Sequence, residues 1–365
     1  MMKVLLPISL DRWRNPISAL LRSCVRYNPD VEFHSFSKPL SDEDIEQGAG
    51  LWQLPNLVKC RPSAMVRGGF DIVHVASYSD LNFVSSVGSK LRGCGRTRFL
   101  NTMNLEPDPL NPLAWKRYRR VLRWADGFVA VSEAVAADFR SRVPERFLGV
   151  IPNGFDPELY NPDDADESQL PPEVAKLGRG YPLWMAALEK RKHPEILVAL
   201  AERNPGMVFV AVGSAIPGEG DHFAREFERV PNILWLGSVN RSTAKAVLSF
   251  AGVLVFPSER EGLSLAMIEA VGMGVPILAQ PKSSMPELVA SGCNGDLVEQ
   301  EDIEGWNSAL HHWRADRSEN QVAGLRLARE GALQRFSWST VGAAYGPVYR
   351  KVAELPRKVV YRIPA

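Results

Sequence analysis

The sequence predicts an α/β protein built as two doubly wound domains, each a parallel sheet with helices on both faces. Three features point there. Short, unbroken apolar runs recur along the chain with helical patterns between them, as strands buried on both faces do. The runs fall into two series, separated at residues 155–173 by FDPELYNPDDADESQLPPE, whose Pro, Asp and Glu content reads as an interdomain linker. A length of 365 residues is too great for one ordinary domain and suits two.

The first series comprises VLLPI near residue 4, DIVHVA at 71, TRFLNTM at 97, GFVAVS at 127 and LGVIPN at 148. The second comprises YPLWMAA at 181, VFVAVG at 208, NILWLG at 232, GVLVFPS at 252 and VPILAQ at 275. These place one Rossmann-like domain over residues 1–160 and another over 171–339. Ligands in such sheets bind at the carboxyl ends of the strands. Two domains facing each other across a cleft suit a reaction between two substrates, one held by each, with hinge closure excluding water.

The net charge of +1 hides an asymmetry: residues 1–150 carry 21 Lys/Arg against 15 Asp/Glu, and the remainder carries 22 against 27. The positive first half suits anionic material, either a phosphorylated acceptor or a membrane surface. Cys24, Cys60, Cys94 and Cys293 are widely spaced and form no CxxC pair, which argues for a reducing compartment and against a disulfide framework. The six histidines are scattered, and no cluster has metal-ligand spacing, so no metal is expected. The opening MMKVLLPISLDRW has too short an apolar core for a signal peptide and reads as a first strand. With no apolar run near 18 residues, the sequence leads us to expect a cytoplasmic protein.

The segment that carries most chemistry is FPSEREGLSLAMIEAVGMGVPILA, residues 256–279. A buried strand runs into a loop holding Ser258 and Gly262, and a helix starts at about Leu265 with Ser264 as its N-cap. Gly262 lets backbone approach a ligand closely. The free N–H groups of residues 263–266, with the helix dipole, form an anion site suited to a diphosphate. Glu261 stands just before that terminus and Glu269 a little over one turn inside. A carboxylate at the second position can accept hydrogen bonds from a ribose diol, and one at the first can meet a sugar ring.

EGLSLAMIE, with its two glutamates, resembles the paired-glutamate motif of family 4 glycosyltransferases. The surrounding sequence is similar too: FPS before it, EAVGMGVPILA after it, then PELV (286–289) and NGDLV (294–298). VAVSEAVAADF (129–139), GVIPNGFDPELY (149–160) and the tail FSWSTVGAAYGPVYRK (336–351) match further motifs in the family's order, over roughly residues 70–350. The resemblance implies a GT-B fold and a retaining glycosyltransferase that moves a sugar from a nucleoside diphosphate sugar to a glycan, lipid-linked or small-molecule acceptor. It implies that the first domain binds the acceptor and that a C-terminal helix, over 340–365, crosses back onto it. Glu269 would bind the ribose and Glu261 the transferred sugar. The backbone of Gly262, Leu263, Ser264 and Leu265 would hold sugar hydroxyls and phosphate. Lys192, in LEKRKHPE, would neutralise the departing diphosphate, and Gly237, Ser238 and Val239 would contact the base. Neither cofactor nor metal is implied, because fixed cations and helix dipoles stabilise the charge.

Three positions depart from the family's pattern. Ala187 stands where an arginine is usual, leaving Arg191, or Arg12 and Arg14, to supply that charge. SLDRWRNP (9–16) replaces a glycine-rich loop. Met103, in FLNTMNLEP, occupies the place of a histidine that meets the donor sugar, and a thioether cannot donate a hydrogen bond. A deoxy sugar, substitution by Asn101 or Asn104, or loss of activity would each account for it. His74 reads as a satisfied core histidine. WKRYRRVLRW (115–124) mixes basic and aromatic residues on a helix that suits a membrane interface, as a peripheral contact, the phosphates of an acceptor, or solvent; no nucleic-acid recognition motif accompanies it. Two other readings stand beside the transferase: another GT-B enzyme, such as a phosphorylase or epimerase, and a catalytically silent sugar-nucleotide-binding protein.

Overall fold

A computed structural model of the chain describes residues 1–10, 16–36, 54–61, 68–76, 87–88, 90, 96–105, 111–314, 318–356 and 361. The chain divides into two units, Met1–Gly154 with Trp338–Ala365, and Phe155–Ser337. The crossing points therefore fall at Gly154/Phe155 and Ser337/Trp338, against the predicted borders near 160 and 339. Residues 155–173 belong to the second unit, where Phe155, Tyr160 and Leu170 are buried, so their polar composition conceals three anchoring apolar side chains.

In the first unit the strands are β1 (Met2–Ser9), β2 (Val31–Phe36), β3 (Leu57–Cys60), β4 (Ile72–Val75), β5 (Arg98–Met103), β6 (Gly127–Ala130) and β7 (Phe147–Val150). They form one parallel sheet in the order β3-β2-β1-β4-β5-β6-β7. β4 and β6 are buried along their whole length, which explains their unbroken apolar runs. β2 alternates buried and half-buried positions, and its mixed sequence VEFHSF carries no such run.

The helix Trp338–Glu354 returns to this unit and packs on the helix Pro16–Tyr27. Asn28 Nδ2 donates to Cys24 O and to Gly342 O, each at 2.8 Å. His74 is fully buried, with Nδ1 2.8 Å from Tyr349 Oη and Nε2 2.8 Å from Thr102 Oγ1. Burial pushes its pKa down to about 3, so the imidazole is a neutral core member and the sequence reading holds. The returning helix was expected over 340–365; it starts two residues earlier and ends at Glu354.

A second buried polar cluster lies near β6. Lys90 Nζ donates to both Asp126 carboxylate oxygens, at 2.9 and 2.8 Å, and to Trp124 O at 2.7 Å. Tyr361 Oη donates to Asp126 Oδ1 at 2.9 Å, while the Arg146 guanidinium lies 4.1 Å from the Tyr361 ring centroid. The Asp126 side chain is wholly buried and that of Lys90 is 1% exposed.

The second unit carries β8 (Tyr181–Met185), β9 (Phe209–Val212), β10 (Ile233–Trp235), β11 (Ala251–Phe256), β12 (Ile277–Ala279) and β13 (Gly295–Leu297). Again all pairings are parallel, in the order β10-β9-β8-β11-β12-β13. Its core gathers Trp184, Phe227, Trp306 and Trp313 with Phe209 and Ala211 of β9 and Val253 and Val255 of β11. The direction of winding reverses between β8 and β11, and open α/β sheets bind their ligands at the carboxyl ends of the strands at such a switch point. The loops that follow these two strands carry Lys192 and Glu261. Among the described residues no helix is long and apolar enough to cross a membrane.

Candidate active site

The loop after β8 ends in one turn of 3-10 helix, Lys190–Lys192, closed by His193 in a left-handed conformation at φ 49°. The loop after β11 leads through Ser258 to Glu261 and into the helix Leu265–Gly272. Glu259 N donates to Arg191 O at 2.9 Å and Arg191 Nη1 to Arg260 O at 2.9 Å, which ties the two loops together.

Three donors then converge on one oxygen, Glu261 Oε1: Lys192 Nζ, Arg191 Nη1 at 3.2 Å and Ser258 Oγ at 2.7 Å. None of the three uses Oε2. Arg191 Nη2 also meets Glu189 Oε1 at 2.6 Å. The Lys192 and Glu261 side chains are only 11% and 12% exposed, so this pair is held largely out of water. Burial pulls the Lys192 ammonium below its ordinary pKa, while the Glu261 charge works in the opposite direction. Behind Glu261, Ser283 Oγ and Ser284 Oγ donate to its backbone oxygen at 2.6 and 3.1 Å. Ser283 is itself left-handed at φ 51°, a conformation that costs a non-glycine residue on the order of 1 kcal/mol and is kept by those bonds.

Ser264 is the N-cap: its hydroxyl accepts from Met267 N at 3.4 Å, with extended backbone at φ −71° and ψ 125°. The remaining first-turn N–H groups of any helix have no intrahelical acceptor, which leaves those of Leu265 and Ala266 directed outward. Gly262 and Leu263 are buried between Glu261 and this terminus. Farther along, Glu269 lies under the influence of the Tyr160 phenol and the Arg241 charge. Burial raises its pKa to about 7, although both neighbours pull the other way. Tyr160 and Arg241 were not singled out in the sequence.

Gly237, Ser238 and Val239 follow β10. Gly237 takes φ 64°, open to glycine without strain, and its carbonyl accepts from Gly213 N at 2.8 Å, at the end of β9. Thus the predicted base-binding segment, the predicted phosphate site and the two glutamates all sit at carboxyl ends of strands of one sheet. Ala187 lies in the loop after β8, and Arg191, four residues on, carries the second cation to Glu261. Arg12 and Arg14 lie outside the described residues.

In the first unit Met103 ends β5 and is 1% exposed, packed as a core residue. Asn101 is fully buried on the same strand, and Asn104 Nδ2 donates to Ala76 O at 2.7 Å. The stretch 115–124 lies in the helix Pro112–Trp124, capped by Asn111. Its buried residues are Tyr118, Val121 and Leu122, while Lys116, Arg119, Arg120 and Arg123 are exposed. Arg142 stacks 5.3 Å from the Trp115 ring centroid.

Two parallel-sheet units with this site define a class, the GT-B architecture, and the comparisons agree. Residues 167–324 match the family Glycosyl transferases group 1, and residues 25–159 match Glycosyltransferase Family 4. The chain belongs to the family 4 glycosyltransferases. It is 26% identical over 255 residues to the α-maltose-1-phosphate synthase of Mycolicibacterium smegmatis, covering 64% of this chain and 65% of that protein. To the D-inositol 3-phosphate glycosyltransferase of the same organism it is 26% identical over 264 residues, covering 68% of this chain and 58% of that one. The chain thus spans a little under two thirds of the first relative and less of the second. Among solved structures, Anabaena HepE in complex with UDP and glucose superposes with a TM-score of 0.77 at 18% identity, covering 96% of this chain and all of that one. Sucrose-phosphate synthase from Thermosynechococcus elongatus gives a TM-score of 0.73 at 18% identity, covering 96% and 99%. These structures share the fold.

Proposed function

We propose that the protein is a retaining glycosyltransferase whose nucleoside diphosphate sugar donor is held in the second unit. The observation that carries this reading is the convergence of Lys192 and Arg191 on Glu261, next to the capped start of the helix Leu265–Gly272. Leaving of a nucleoside diphosphate develops negative charge, and two fixed cations with a helix terminus stabilise it without reorganisation. Glu261, with its second oxygen not engaged by those three donors, suits a sugar hydroxyl, and Glu269 suits the ribose diol. The backbone at Gly262, Leu263, Ser264 and Leu265 receives the phosphate and sugar, and Gly237, Ser238 and Val239 the base. HepE has been solved with UDP-glucose, which supports a donor of this chemical type. No resident cofactor or metal enters this scheme. The acceptor falls to the first unit.

Glu269→Ala is expected to weaken nucleoside diphosphate binding by roughly 1.5–3 kcal/mol, the usual worth of hydrogen bonds to a charged group. Calorimetric titration of both proteins checks this, and unchanged affinity removes Glu269 from the ribose.

For the acceptor side, the exposed Lys116, Arg119, Arg120 and Arg123, beside Leu113 at 54% exposure, suit the anionic headgroups of a membrane on which a lipid-linked acceptor resides. Cosedimentation with phosphatidylglycerol vesicles is expected at low salt and is lost as salt rises, because exposed charges are screened beyond about 8 Å at physiological ionic strength. If the protein stays in the supernatant at low salt, this face serves only as a solvated surface.

A further inference from the structure

We infer that Ser283 is a positioning residue for the transferred sugar: its hydroxyl brackets the backbone of Glu261 and sets where that carboxylate's second oxygen meets a sugar hydroxyl. The inference rests on the reading that Glu261 receives the sugar. It brings a third loop, the one after β12, to the pair formed by the loops after β8 and β11.

β11 and β12 run side by side up to the register pair of Phe256 and Ala279. Beyond that pair the ladder stops and side chains take over. Gln280, fully buried, donates from Nε2 to Pro257 O at 2.6 Å. The chain then turns back: Met285 N donates to Lys282 O at 3.2 Å, with Ser283 and Ser284 at the centre of the turn. Met285 is fully buried and opens the 3-10 turn Met285–Glu287. Gln280 and Met285 are thus both anchored, and the short link between them holds Ser283 at φ 51°. Glycine takes this backbone freely, and serine only at a cost.

What serine adds is a hydroxyl. Glu261 N donates to Ser283 Oγ at 3.3 Å, and the same oxygen donates back to Glu261 O at 2.6 Å. Ser284, fully buried, supplies a second donor to Glu261 O at 3.1 Å. Glu261 lies in neither helix nor strand, so these side chains satisfy its peptide groups as a ladder would elsewhere. The loop after β12 therefore fixes the root of the Glu261 side chain, while Lys192, Arg191 and Ser258 fix Oε1. A carboxylate held at its root and at one oxygen has little freedom left, and that places Oε2. Among the described residues only His193 and Ser283 combine a side chain with left-handed backbone. They serve the two halves of one ion pair, since His193 closes the turn that ends in Lys192. Such conformations persist where the surrounding structure over-determines them, and a site that must hold a substrate in one pose is such a place.

Ser283→Gly removes the hydroxyl and the backbone cost together, so the turn itself stays favourable. Calorimetric titration of the full chain would use UDP-glucose or GDP-mannose, whichever binds more tightly, and the matching free UDP or GDP. The variant is expected to lose about three- to tenfold in affinity for the nucleotide sugar, the reach of one hydrogen bond. The free nucleoside diphosphate, which has no sugar for Glu261 to meet, should bind both proteins alike. Ser284→Ala removes only the longer bond and should show the same selectivity with a smaller loss. Wild-type affinity of Ser283→Gly for the nucleotide sugar overturns the inference, as does an equal loss for both ligands, which marks a role in the fold alone. Glu261→Ala separates the two levels. If it weakens the nucleotide sugar selectively while Ser283→Gly does not, only the role of Ser283 falls. If Glu261→Ala shows no selectivity, or neither nucleotide sugar binds the unsubstituted chain, the sugar reading of Glu261 falls and the inference with it.

Discussion

Lys192→Ala is expected to lower turnover by about 100-fold or more while the fold stays intact, the usual effect of losing one preorganised electrostatic stabiliser. If Lys192 meets the departing diphosphate, its contribution is larger in the transition state than with bound donor, and so falls on kcat. The geometry also defines its understudy. Arg191 Nη1 already bonds the same Glu261 oxygen at 3.2 Å, and its guanidinium needs no long excursion to follow the charge. Arg191→Ala alone should therefore cost less than Lys192→Ala, and the double variant should lose more than the sum of the two in free energy. Steady-state kinetics with a saturating donor settles the point: a Lys192→Ala enzyme that changes only KM would make the lysine a binding contact and overturn the mechanism.

The second large effect concerns stability. Asp126→Ala leaves Lys90 buried without its anion, takes the acceptor from Tyr361 Oη, and removes the partner of Phe99 N at 2.7 Å. Breaking a buried pair from one side typically costs about 3–5 kcal/mol, because the surviving charge keeps its desolvation penalty and loses its compensation. Burial already pulls Lys90 below its ordinary pKa with Asp126 present; without Asp126 that pull is unopposed by a carboxylate at bonding distance. Denaturant unfolding should show an early transition from the unit of Met1–Gly154 and Trp338–Ala365, with the second unit melting nearer its original midpoint. A single unshifted transition would contradict this account. Two units make a two-state fit unsafe, so transitions need separate probes.

Most of the fold could be read from local pattern because most strands here are buried on both faces. VFVAVG and GVLVFPS become β9 and β11 since no polar side chain interrupts them. The strands that escaped such reading are those whose environment is decided by partners. β2 has Glu32, His34 and Ser35 in half-buried or hydrogen-bonded places, β3 lies at the sheet edge, and β13 is three residues long. The site divides along the same line. Glu261, Ser264 and Glu269 stand in one short loop and helix, so glycine, cap and spacing mark them, and Lys192 stands in a charged turn of its own. Tyr160 and Arg241 carry no local mark. Their significance arises only when two distant stretches fold onto the helix that bears Glu269, and no periodicity encodes that meeting. Arg191 presents the intermediate case, a cation visible in LEKRKHPE whose partner becomes plain only in three dimensions.

The returning helix Trp338–Glu354 gives the chain an order of completion on the ribosome. Residues 155–337 form the second unit as one uninterrupted stretch, so everything it needs has been made before the returning helix emerges. The first unit, although its sheet is translated before the second unit, waits for a segment made only after that unit: Tyr349 closes over His74, and Gly342 meets Asn28. Until then the helix Pro16–Tyr27 lacks its partner and His74 lacks one of its two hydrogen-bond partners. The unit begun first is thus finished last, a reversal of the usual amino-to-carboxyl sequence of domain folding. A stop codon anywhere in the final helix would spare the nascent second unit and strand the first.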